Sequence, residues 1–124
     1  PPIPPKGAGV PAQFVTGDCF GASCHADLSL AMTAYLGEHG CAAAYNRPYA
    51  GGYALERHGI PSHGVHAVQL EIDRSTYLDA GLYRLGEGYP KLVKLLTGLV
   101  RRLATEATML SDGSAATGWR DAAE

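Results

Sequence analysis

The chain has 124 residues, 46% of them apolar, and a formal charge of −2, which suits one globular domain. Lys and Arg (10) are outnumbered by Asp and Glu (12), which argues against a basic nucleic-acid binder, and no apolar run approaches a membrane span. Gly (16) and Pro (8) make the chain loop-rich without giving it the composition of a disordered protein.

The opening Pro1-Pro2-Ile3-Pro4-Pro5 has neither an initiator Met nor a targeting pattern, so a piece of something longer is expected. Residues 1–13 read as extended, because Pro cannot enter a helix interior or a central strand. Gln13–Thr16 reads as a short strand stopped by Gly17-Asp18, followed by a loop over 19–24. Residues 25–39 form an amphipathic helix with the stripe Leu28, Met32, Tyr35, Leu36 and His39, an N-cap at Ser23 and Gly40 beyond its end. Cys41–Tyr45 is expected to be a buried strand, with Cys41 a small buried residue. Residues 46–64 read as a structured functional loop, with a short strand over Tyr53–Arg57.

Val65–Asp73 is the strongest strand. Alternation puts Val65, Ala67, Gln69, Glu71 and Asp73 on one face and His66, Val68, Leu70 and Ile72 on the other. Pro90 opens a second helix over about 90–107, striped by Leu92, Leu96, Leu99 and Leu103 and flanked by Val93 and Val100. Lys91, Lys94, Arg101 and Arg102 lie off that stripe as a solvated face. The domain is expected to cover 1–110, with 111–124 a flexible tail in which Trp119 argues for docking. Strands separated by helices predict an α/β fold with a mainly parallel sheet. Three strands are few for such a sheet, again as in a fragment.

Glu71 is the leading candidate for chemistry. A carboxylate in mid-strand is costly unless it is paired, hydrogen-bonded or near a metal, and burial would tune it toward general acid–base work. An ion pair with Arg74, Arg57 or Arg47 is the structural alternative. Arg47 and Arg57 offer planar forks that fit carboxylates, and Asn46 before Arg47-Pro48 suits a turn. Gly51-Gly52 permits close backbone approach but fits no nucleotide fingerprint. His58, His63 and His66, with Glu71 beyond them, invite a metal reading. Their spacing is poor for zinc, and no metal ligand is assigned to this chain. His25 and His39 read as helix-end residues. The three Cys (Cys19, Cys24, Cys41) are odd in number and Cys19-x4-Cys24 is not a redox spacing, so a reduced, cytoplasmic protein is expected.

Taken together, Gly17-Asp18-Cys19-Phe20-Gly21-Ala22-Ser23-Cys24, Asn46-Arg47-Pro48-Tyr49-Ala50-Gly51-Gly52, Arg57-His58-Gly59, Val68–Arg74 and Tyr77-Leu78 resemble the N-formylglutamate amidohydrolase family, over about residues 1–105. The resemblance maps the chain onto the C-terminal half of longer members. It implies part of a zinc carboxypeptidase/aspartoacylase-like (phosphorylase/hydrolase-like) α/β sandwich around a mixed, mainly parallel sheet. It also implies hydrolysis of the formyl amide of N-formylglutamate to glutamate and formate, in histidine breakdown. The zinc of the complete enzyme would have its ligands upstream, one of them in a His-Ser-Met segment that runs into a Pro-Pro stretch.

By the same resemblance Glu71 matches the general base that activates water, and Asn46 and Arg47 match a pair that holds a substrate carboxylate. Arg57 is the better clamp, since many members carry another residue at the position of Arg47. Tyr49, Gly51, Gly52 and His58 would shape the pocket. Cys19 stands where Arg is common. The expected partner is a small N-acyl amino acid, not nucleic acid or membrane. The isolated chain is expected to be inactive without its ligands. Two other readings stay open: a metal-free carboxylate-binding module, and a structural fragment that self-associates through an exposed sheet flank.

Overall fold

The computed structural model describes residues 12–123, with side chains through residue 112; the opening Pro-rich segment and Trp119 lie outside the described backbone and side chains respectively. Six principal elements follow in order: β1 (Phe14–Gly17), α1 (Ala26–Glu38), β2 (Ala43–Tyr45), α2 (Tyr53–His58), β3 (Gln69–Ile72) and α3 (Gly88–Ala123). Short 3₁₀ turns at Pro61–His63 and Arg74–Thr76 complete them.

The sheet has the order β2-β1-β3. β1 pairs with β2 in parallel and with β3 antiparallel, so the sheet is mixed rather than mainly parallel. The β1–α1–β2 unit supplies the parallel pair, because such strands need a crossover. β1 is central and buried along its whole length. Its antiparallel register is Phe14 to Ile72, Val15 to Glu71, Thr16 to Leu70 and Gly17 to Gln69. Paired residues share a face, so Leu70 and Ile72 look toward the helices while Gln69 and Glu71 look away.

The apolar core sits between the sheet and the two long helices. Met32, Tyr35 and Leu36 of α1 bury against Leu99 of α3, with Ala43, Val68, Leu70, Leu95, Leu96 and Leu103 packed around them. The expected stripe of α1 is therefore buried from Leu28 to Leu36, while His39, expected to end it, is exposed. The Tyr35 hydroxyl donates to the Leu95 carbonyl at 2.8 Å. A side chain at Gly98 would put its Cβ 2.1 Å from that hydroxyl, so the close approach of the two helices needs glycine there. The flank of α3 expected from Val93 and Val100 is exposed instead.

Four local expectations are corrected. Tyr53–His58 is a helix, not a strand: Gly52 starts it in extended conformation, and the Gly59 N–H closes it on the Leu55 carbonyl at 2.9 Å. The N-cap of α1 is His25, whose Nδ1 accepts from the Asp27 N–H at 3.0 Å, not Ser23. Ser23 is buried, and its hydroxyl donates to the Ala67 carbonyl at 2.8 Å. β3 is shorter than the alternating run, because left-handed Gly64 (φ +75°) turns the chain and Val65 pairs back with Ile60. Finally, Cys24 is the buried cysteine and Cys41 only half-buried, and all three are free thiols.

Candidate active site

Parallel pairing of β1 with β2, and antiparallel pairing with β3, brings three chain segments to one end of the sheet. These are the turn after Gly17, the loop after Tyr45 and the start of β3. Asn46 leaves β2 in the left-handed region (φ +59°), which Asn tolerates better than most residues. Its backbone N–H donates to the Thr16 carbonyl at 2.7 Å. The loop then crosses β1 at Gly17, where an added Cβ would lie 2.7 Å from the Ala50 carbonyl oxygen and 3.0 Å from Gln69 Cγ. The loop therefore lies on the Gln69/Glu71 side of the sheet, away from the helices. Gly51 (φ +132°) has no room for a side chain either, with Leu55 Cδ2 2.5 Å and Cys19 Sγ 2.9 Å from the position of its Cβ.

The structure thus puts Glu71 and the Ala50 part of the Asn46–Gly52 loop on the same side of the sheet, and the loop leads directly into α2, whose Leu55 packs at Gly51. Glu71 is exposed, not buried as its mid-strand position suggested, because β3 is an edge strand and its outer face is open. Among the described residues neither Glu71 nor Arg47, Arg57 or Arg74 forms an ion pair, which removes the structural alternative for Glu71. Arg57 and His58 are exposed in the last turn of α2. Arg47 is exposed, and its guanidinium lies 5.7 Å from the Phe20 ring centre. Tyr49 is half-buried, and Gly52 caps α2.

Asn46 differs from the rest. Its side chain is buried and occupied: Oδ1 accepts from the Asp18 N–H and Nδ2 donates to Asp18 Oδ1, both at 2.9 Å. Asp18, a strand stop by sequence, is the hub of this end of the molecule. It is 1% exposed, and its carboxylate also accepts from the Gly21 N–H at 2.9 Å, Ser29 Oγ at 2.7 Å and Tyr45 Oη at 2.5 Å. Burial pushes its pKa up, but the bonds from Tyr45, Ser29, Asn46 and Gly21 outweigh it and hold the carboxyl below its ordinary value. The same bond, then burial, pushes the Tyr45 phenol up. Burial first, and then the charge of Asp18, raises the Cys24 thiol.

His58, His63 and His66 do not converge as a metal site among the described residues. His66 Nδ1 accepts from the His25 N–H at 3.0 Å, and His63 is exposed in its turn. Among the described residues no group of three His, Cys, Asp or Glu could hold a metal ion. Two grooves, of about 370 and 760 Å³, lie on the helix side around Leu92, and no sequence-predicted site residue lines either. No helix among the described residues is long and apolar enough to cross a membrane.

The sequence profile of the N-formylglutamate amidohydrolase family matches residues 1–78. A crystal structure of N-formylglutamate amidohydrolase from Ralstonia eutropha JMP134 is similar, with a TM-score of 0.71 at 32% identity. That likeness covers 82% of this chain and 35% of that one, so the chain spans about a third of that relative's length. No curated protein matches the chain.

Proposed function

Because the chain belongs to the N-formylglutamate amidohydrolase family, we propose that it carries the general-base and carboxylate-binding parts of an amidohydrolase. The substrate would be an N-acyl amino acid, N-formylglutamate foremost, cleaved to formate and glutamate. The observation that carries this reading is the placement of Glu71. A carboxylate with no ion pair among the described residues shares one side of the sheet with the loop that carries Arg47 and leads into the Arg57 helix. In the proposed reaction Glu71 takes a proton from the water that attacks the formyl carbon. It returns the proton to the departing nitrogen as the C–N bond breaks. Arg57, joined by Arg47, holds the glutamate carboxylates. Tyr49 and His58 line the site, and Gly51 and Gly52 let the loop backbone close on it. Asn46 contributes by setting the loop, since Asp18 already engages its amide.

The described residues do not by themselves fit a zinc centre. We propose that zinc ligands of the complete enzyme lie outside this chain. The larger fold would be the carboxypeptidase/aspartoacylase-like sandwich, in a cytoplasmic protein. Family membership favours this reading over a binding module or a structural remnant.

The test is Glu71→Gln in the protein that carries this sequence, with formate release from N-formylglutamate and glutamate affinity both measured. Loss of a general base is worth about 10²–10⁴-fold in rate, with affinity for glutamate unchanged. Full turnover in Glu71→Gln overturns the assignment of the base. No formate from the unmutated protein overturns the substrate.

A further inference from the structure

The hydrolytic chemistry makes no use of the most completely buried charge in the described chain. We infer that Asp18 is the positioning residue of this site: its carboxylate, anchored to α1 and β2, clasps Asn46 and fixes the Asn46–Gly52 loop over the Glu71 side of the sheet. The functional consequence rests on the hydrolase reading above; the clasp itself does not.

Four donors converge on this one carboxylate: the Gly21 N–H, Asn46 Nδ2, Ser29 Oγ and Tyr45 Oη. Only an ionised acid accepts from all of them. An Asn there would aim its own NH₂ at two of the donors. If packing were all that mattered, an apolar residue would serve without the cost of burying a charge. The geometry explains the charge by what it connects. Ser29 belongs to α1 and Tyr45 to β2, so one oxygen is held by the rigid part of the fold. The other oxygen holds Asn46, whose amide in turn accepts from the Asp18 backbone.

The neighbours of Asp18 continue the clasp. The Cys19 N–H donates to the Ala50 carbonyl at 2.7 Å. Gly17 and Gly51 remove the side chains that would keep the loop from β1 and from Cys19. Residues 17–19 therefore grip the loop at 46, 50 and 51, on either side of Arg47 and Tyr49. Asp18 touches no substrate in this arrangement; it acts through Asn46.

The test combines amide hydrogen exchange with N-formylglutamate kinetics on Asp18→Asn and on the milder Tyr45→Phe. Tyr45 is 50% exposed, so removing its hydroxyl spares the core and the variant folds even where Asp18→Asn does not. The reporters are the amides of residues 18, 19 and 46, against those of Met32 to Leu36 in the core. The clasp predicts exchange at the loop reporters at least about tenfold faster, beyond the acceleration of the core amides, which follows the loss of global stability alone. It also predicts that KM rises more than kcat falls.

Unchanged loop amides overturn the clasp. Uniform acceleration across loop and core reduces Asp18 to general stability and overturns positioning. A loosened loop with an unchanged KM overturns its role in the site. If the unmutated protein releases no formate, the hydrolase reading fails on its own, and the exchange data still decide the clasp.

Discussion

Between α1 and α3, Met32, Tyr35, Leu36 and Leu99 bury against one another with no charged group among them, whereas the ends of β1 and β2 are joined through the buried carboxylate of Asp18. The first region is held by removal of apolar surface from water, which is non-directional and indifferent to pH. The second is held by hydrogen bonds of fixed direction to one ionised group, and its strength depends on that ionisation. The functional loop hangs from the second region. Placement of a loop to within a bond length calls for directional contacts, and an apolar core supplies few of them.

The sharpest way to separate the two regions is to damage each in turn. Leu36 is fully buried at the centre of the helix–sheet core. Leu36→Ala should cost about 2–5 kcal/mol by lost transfer energy and the cavity left behind. Urea denaturation at neutral pH checks it. Tyr45→Phe, which removes one of four donors to Asp18, should cost less, about 1 kcal/mol. If the order were reversed, the carboxylate hub would be the main support of the fold rather than of the loop.

The pH dependence sharpens the contrast further. The folded-state pKa of Asp18 lies below its ordinary value of 3.8, so its contribution to stability is fully present above that value. It is lost as the pH falls through the lower, folded value. Tyr45 runs the other way: its folded pKa lies above the ordinary 10.0, so its contribution holds below that and fades as pH rises beyond it. Tyr45→Phe removes a bond that lowers the Asp18 pKa, so less of the acid limb remains, and the share of the alkaline limb that Tyr45 supplies goes with its hydroxyl. Leu36→Ala should shift stability by the same amount at every pH. Denaturation midpoints across the acid and alkaline ranges decide this, and parallel curves for all three proteins would remove Asp18 as the pH-dependent element.

The same contrast governs what could be read from the sequence. The stripes of α1 and α3 and the alternation of β3 are periodic, so the core and the side of the sheet that carries Glu71 were legible. α2 has six residues, too few for a helical period to show, so Tyr53–Arg57 looks like a short strand in sequence. Val93 and Val100 flank the apolar stripe of α3 in sequence, yet both are exposed. Glu71 was expected to carry a burial cost that its edge strand does not impose. Asp18 has no period to betray it. The available signal was a carboxylate directly after the buried strand Phe14–Gly17, with Asn46 directly after the neighbouring strand. Reading it required knowing that the two strands are parallel neighbours.

The smallest expected effect belongs to the surface counterpart of the Asp18 hub. Arg102 of α3 reaches Glu38 at the end of α1 at 3.6 Å and Glu106 of its own helix at 3.5 Å. Like Asp18 it bridges two elements by charge, but in water rather than in the interior. Glu38 stays solvated and gains little by meeting it, and Glu106, though half-buried, is only one turn away on the same helix. Glu38 lies in the last turn of α1, the end a helix dipole makes unfavourable for an acid, so relief of that repulsion is part of what Arg102 supplies. Arg102→Ala should cost no more than about 1 kcal/mol, and about 1 M salt should erase most of it. A salt-insensitive loss near that of Leu36→Ala would mean that charge holds the α1–α3 pair as it holds the sheet end, and the distinction between the two regions would fail.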